Sequence, residues 1–228
     1  MKKIVCAIVI MLTGITLVAC GSKSEIKESL NSNIIEIRNN LYAGADDSFY
    51  ATFCSGEREE PYGLDGKINN KVDFGIVTIS KKDNTKLTDE EYLFTIVING
   101  ESHSGTLTKS PYDNTYSADI GIQVDNNAEI KLSTDLDGVV FDQVLYNESK
   151  DFTVSQSNAI DMACEELEDV LKALKKSDLK YEAMVKILKD YSGETNRYFW
   201  YVGLVAEDGT TAGILIDCNS GEIISKKV

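Results

Sequence analysis

The chain has 228 residues, of which 43% are hydrophobic and 26% charged, and its formal net charge is −14. That hydrophobic content is enough to bury a core. The acidic excess argues against nucleic acid, which needs clustered Lys and Arg, and against lying flat on anionic lipid.

The chain opens MKKIVCAIVIMLTGITLVACGS. Lys2 and Lys3 form a basic start, and Ile4 to Val18 an apolar run too short for a comfortable membrane span, the layout of a secretory signal. The run ends in Leu17-Val18-Ala19-Cys20, which resembles the bacterial lipobox. The resemblance implies that residues 1–19 are a lipoprotein signal peptide and that Cys20 is lipid-modified. A diacyl group on Cys20 would make the membrane a partner, holding the chain on the extracytoplasmic face. Gly21-Ser22-Lys23-Ser24 reads as a flexible tether. Of the cysteines beyond Cys20, namely Cys54, Cys164 and Cys218, the last two are close enough in the expected C-terminal unit to leave a disulfide open.

Ile26, Leu30, Ile34, Ile37 and Leu41 recur at helical spacing, which predicts an amphipathic helix over 25–41, within a segment 20–46 that also holds the tether. From 47 to 150, short Val-, Ile-, Phe- and Tyr-rich runs alternate with Gly, Asn and Asp turns. Strands are expected at 48–53, 72–80, 92–99, 104–108, 116–123, 129–133 and 139–147, with a hairpin turn at Asn99-Gly100. Seven strands at this spacing predict an antiparallel β-sandwich of Ig-like architecture.

At 151–228 the period changes. Ser155 is a helix N-cap, and Ile160, Ala163, Leu167, Val170, Leu171 and Leu174 line one face of the helix. Strands are expected at 181–191, 198–206, 212–217 and 222–225. Tyr198, Trp200, Val202 and Leu204 fall on one strand face and Phe199, Tyr201 and Val205 on the other, so both faces need cover. The helix with Ala159 and Ala163, then "FWYVGLV", a turn at Asp208-Gly209 and "GILIDCNSGEII", resembles the PepSY domain. Asp217, Gly221 and Glu222 match that family's final turn; Cys218 and Ser220 stand where Ala and Thr are more usual. The resemblance implies a C-terminal α+β domain and a role in holding or inhibiting a peptidase outside the membrane.

The residues assemble no recognisable catalytic set. His103 is the sole histidine, beside a hairpin turn and without a Gly-x-Ser-x-Gly. Asp135, Asp137 and Asp142 around Gly138 begin like a calcium loop but lack its later acids. No cofactor or metal is expected. "CSGEREEPYGLDG" (54–66) reads as a shaped, charged loop, and "KSPYDNTY" as a turn with tyrosines. Arg58, Glu59, Tyr62 and Tyr112 are therefore the binding candidates, because exposed loops carry recognition. The expectation is an α+β protein: N-terminal helix, antiparallel sandwich, then a PepSY-like helix and meander. It would bind or regulate an extracytoplasmic protein such as a peptidase, or alternatively bind glycan or cell wall through the sandwich loops.

Overall fold

A computed structural model describes residues 24–63, 68–82, 87–111, 115–190 and 197–228. Cys20, the signal segment and Tyr112 lie outside them. The molecule is mostly β, and twelve strands form one continuous sheet. Eight of them close into an antiparallel barrel, in the order β1 (Ile34–Ala45), β2 (Phe49–Glu59), β3 (Lys71–Lys81), β6 (Thr115–Ile120), β5 (Glu101–Lys109), β4 (Glu91–Ile98), β7 (Ile130–Leu136), β8 (Val139–Asn147) and back to β1. The other four, β9 (Tyr181–Lys189), β10 (Tyr198–Ala206), β11 (Thr211–Asp217) and β12 (Ile223–Lys227), extend the sheet outward from β1. The helices are short: α1 (24–32), α2 (Gln156–Glu166) and α3 (Glu168–Lys176).

This overturns the α+β sandwich. Helix α1 stops at residue 32, where the Asn33 side chain donates to Ser29 O at 2.8 Å. The run Ile34-Ile35-Glu36-Ile37 then forms a strand, as its β-branched residues favour. Residues 34–41 were the second half of the expected helix. As β1 they supply the strand that joins β8 to β2, through Tyr42 opposite Asn147 and Ala43 opposite Tyr146. Without β1 the remaining seven strands read as an open sandwich; with it the ring closes.

Two cores share this sheet. Inside the barrel, Phe49, Phe53, Phe141, Tyr116, Ile79, Ile96 and Leu107 are fully buried. Phe49 and Phe141 meet edge to face at 6.4 Å, and Tyr92 and Tyr116 at 5.1 Å. Hydrogen bonds tie down both ends. Tyr42 donates to Asp125 O at 2.6 Å at one end; at the other Tyr92 donates to Asp137 at 2.6 Å and Tyr116 to Asp89 O at 2.6 Å. The second core lies between the helices and β9–β11 and includes Leu30, Ile160, Ala163, Leu171, Val185, Trp200, Val202 and Ile214. Trp200 Nε1 donates to Val154 O at 2.8 Å, and Ser155 caps α2 by accepting from Asn158 N at 3.2 Å. β1 and β2 serve both cores: Leu41 and Cys54 face the helices, while Tyr42 and Phe53 face into the barrel. The helical run breaks at Leu167 instead of continuing as one helix.

Candidate functional site

The segment expected to be a charged loop is largely strand. Arg58 and Glu59 end β2, and only the following residues turn away. Arg58 lies over the Phe74 ring at 4.9 Å and pairs with Asp119. Glu59 is fully buried and accepts from Asn69 N at 3.1 Å and Gly63 N at 3.5 Å, which holds the two ends of its loop. Tyr62 is 47% exposed, with its hydroxyl 3.5 Å from Met184 Sδ. Burial of the phenol oxygen, followed by the Glu36 carboxylate beside it, pushes Tyr62 up to about 12.

These residues border a charged cluster at the junction of barrel and meander. Glu36, 2% exposed on β1, accepts from Arg38 Nε and from Lys186 Nζ on β9, the latter at 2.8 Å. Burial alone would raise the Glu36 carboxyl, but Arg38 and Lys186 together outweigh it and hold it below its ordinary value. Lys186 is pushed down by its own burial and by Arg38, because both cations share one carboxylate. The cluster cross-links β1 to β9. Arg58 and Glu59 therefore act in the architecture, and of the candidates that are described only Tyr62 faces solvent to a large extent.

The other sequence features also resolve into structure. Asp137 and Gly138 both have positive φ, 56° and 82°, forming the β7–β8 hairpin turn. Asp135 accepts from Gly138 N at 2.7 Å, Asp137 from Thr88 N at 2.8 Å, and Asp142 pairs with Lys131 at 2.8 Å. The three carboxylates thus serve separate partners, and no metal-binding group occurs among the described residues. His103 lies on β5 opposite Ile96. Asp217 accepts from Asn219 N at 2.9 Å and Ser220 N at 2.8 Å and pairs with Arg197 at 2.8 Å. Burial acts against the charged form, yet these donors hold Asp217 at about 2.

All three cysteines of the described region are free. Burial raises Cys54 and Cys218 to about 12 and Cys164 to about 11. Cys164 alone is partly exposed, in a groove of about 520 Å³ between α1 and α2. Maleimide at neutral pH will label Cys164 first, whereas Cys54 and Cys218 will react only on unfolding; mass spectrometry after timed quenching checks this order.

A different surface is exposed and apolar. Leu93 on β4 is 77% exposed, and Val140, Val144 and Tyr146 on β8 are 62%, 48% and 69% exposed. Leu93 and Val140 line one shallow depression with Asp135, Ser133 and Thr95. Val144 and Tyr146 line an adjoining groove of about 650 Å³ with Val97, Lys131 and Lys150. The sequence carried a signal for this surface. In "VVFDQVLYN" Phe141 and Leu145 point inward and are buried, while Val140, Val144 and Tyr146 on the opposite face are apolar too. A strand with one wet face does not need them. Comparison of the chain with protein-family models, with curated proteins and with solved structures finds no match.

Proposed function

We propose that this chain is a non-catalytic, lipid-anchored surface protein that binds and regulates an extracytoplasmic protein. The carrying observation is the exposed apolar row Val140, Val144 and Tyr146 on β8, which faces Leu93 on β4 across the polar outer face of β7, Lys131, Ser133 and Asp135. Apolar residues scattered singly are ordinary, whereas several exposed along one strand of a sheet suit a contact surface. Lys131, Ser133 and Asp135 of β7 run between the apolar residues of β4 and β8, so the surface mixes apolar and polar groups as non-obligate interfaces do. The lipobox-like Leu17-Val18-Ala19-Cys20 supports a lipid anchor at Cys20, and the PepSY resemblance of residues 153–228 supports a peptidase as the partner class.

The test is peptidase activity of washed envelopes towards labelled casein, titrated with the purified protein. The reading expects a saturable fall in activity, and expects the double variant Val140→Asp/Val144→Asp to lose it. Unchanged activity at saturation, with no envelope protein co-sedimenting, overturns the reading. Binding to isolated cell wall instead would establish the glycan alternative.

A further inference from the structure

We infer that β8 is a docking edge, at which an extended segment of a partner adds as a further strand. This deepens the binding reading above and rests on it. The β1–β8 ladder holds only two residue pairs, Tyr42–Asn147 and Ala43–Tyr146. Continuing that register places Ala45, the last residue of β1, opposite Val144. Residues 139–143 overhang the end of β1 and have no strand partner on that side among the described residues.

The hairpin fixes which backbone groups face the open side. In a two-residue turn with both φ positive, the flanking pair, here Leu136 and Val139, exchanges both hydrogen bonds. Alternation then directs the N–H and C=O of Phe141 and Gln143 toward β7. Those of Val140, Asp142 and Val144 point away from it. The same three residues carry their side chains on the outer face and are exposed. Val144 already lies beside Ala45, so an added strand would gain both main-chain bonds and side-chain contacts at Val140 and Asp142. Lys, Pro and bulges do not occur between 139 and 146, where Asp142 is the charged residue.

The edge also selects its occupant. A second copy is disfavoured. The symmetric antiparallel register that sets each Val140 opposite the other copy's Val144 also sets Asp142 against Asp142, and like charges directly opposite destabilise. The complement is a segment with apolar residues beside the Val140 and Val144 side chains and a basic residue opposite Asp142, whose exposed carboxylate pairs with Lys131 on β7 at 2.8 Å and can accept a second cation from the open side. On the outer face it reads apolar, basic, apolar.

The probe is the peptide Thr-Val-Thr-Lys-Thr-Val-Thr, added to the full chain in detergent. Amide hydrogen exchange of Val140 and Asp142 should slow at least tenfold, with His103 unchanged. A peptide with Glu in place of Lys should bind at least fivefold more weakly, and one N-methylated along its pairing edge should give no protection. Asp142→Pro removes an outward N–H that the β7 ladder does not use, and should abolish the effect. Val140→Lys, at an exposed position, should weaken it and serves if the proline variant misfolds. If envelope peptidase is still inhibited but the peptide protects none of these amides and neither variant lowers inhibition, strand addition is wrong and the binding reading stands. If the envelope assay is negative, the binding reading itself fails.

Discussion

Replacing Gly56 with alanine will destabilise the protein by about 3 kcal/mol, at the upper end for overpacking. Gly56 faces Arg38 across the β1–β2 ladder, where the register slips between Arg38 and Asn40. A Cβ there would lie 1.8 Å from the Ile37 carbonyl oxygen, 2.8 Å from its carbon and 3.2 Å from Arg38 Cα. All three are backbone atoms, so no side chain can swing aside. β1 itself must retreat, and β1 supports both cores. Urea unfolding followed by Trp200 fluorescence, which reports the helical layer, and by tyrosine near-UV dichroism, weighted to the barrel, should shift to lower denaturant together. Gly63→Ala is the control, since nothing lies within 4 Å of a Cβ there; it should change stability by less than about 0.5 kcal/mol. A shift in one probe alone would show that the two cores unfold independently.

Glu36→Ala should cost about 3–5 kcal/mol, because it leaves two partly buried cations without their carboxylate. The Arg38 and Lys186 side chains are only 28% and 16% exposed. The charged cluster need not be the most stable solution. Replacing Glu36 and Lys186 together with methionine should recover much of the loss, as buried ion pairs often exchange with apolar residues at little net cost. The pH dependence has a definite sign. The folded Glu36 carboxyl lies below its ordinary 4.5, so its contribution is complete above about that pH and is lost as pH falls through the folded value. Asp217, at about 2 against an ordinary 3.8, adds to the same acid side. Lys186 is depressed in the folded state, so its charging penalty is present at neutral pH and fades as pH rises through its folded value. Chemical unfolding of Glu36→Ala between pH 6 and pH 3 should therefore show a shallower acid decline than the unsubstituted chain.

The strands of the barrel were legible because alternation and turn chemistry are local. "EYLFTIVI" with Asn99-Gly100, and "VVFDQVLYN" after Asp137-Gly138, fix their own register. β1 was not legible. Ile34, Ile37 and Leu41 fit a helical face as well as a strand buried on both sides, and only tertiary pairing with β2, β8 and β9 decides between them. The barrel's closure was hidden with it. Two of the binding candidates, Arg58 and Glu59, were misread as loop residues for a related reason. Arg58 and Glu59 stand among charges that suggest a solvated loop, but Glu59 is fully buried and Arg58 is held by Phe74 and Asp119 from strands β3 and β6. Phe74 and Asp119 lie 16 and 61 positions from Arg58 along the sequence, beyond any local pattern. The β8 edge could have been suspected from its two apolar faces, yet the stretch 139–143 left unpaired on one side among the described residues follows from how far β1 extends along β8.

The most direct measurement places a photo-cross-linking amino acid at position 144 of the anchored protein on intact cells, and at position 172 on α3 as a control. The account predicts one polypeptide joined to position 144 and absent from position 172, with the link falling within an extended segment carrying a basic residue between apolar ones. Equal adducts from both positions, or none from position 144, would contradict it.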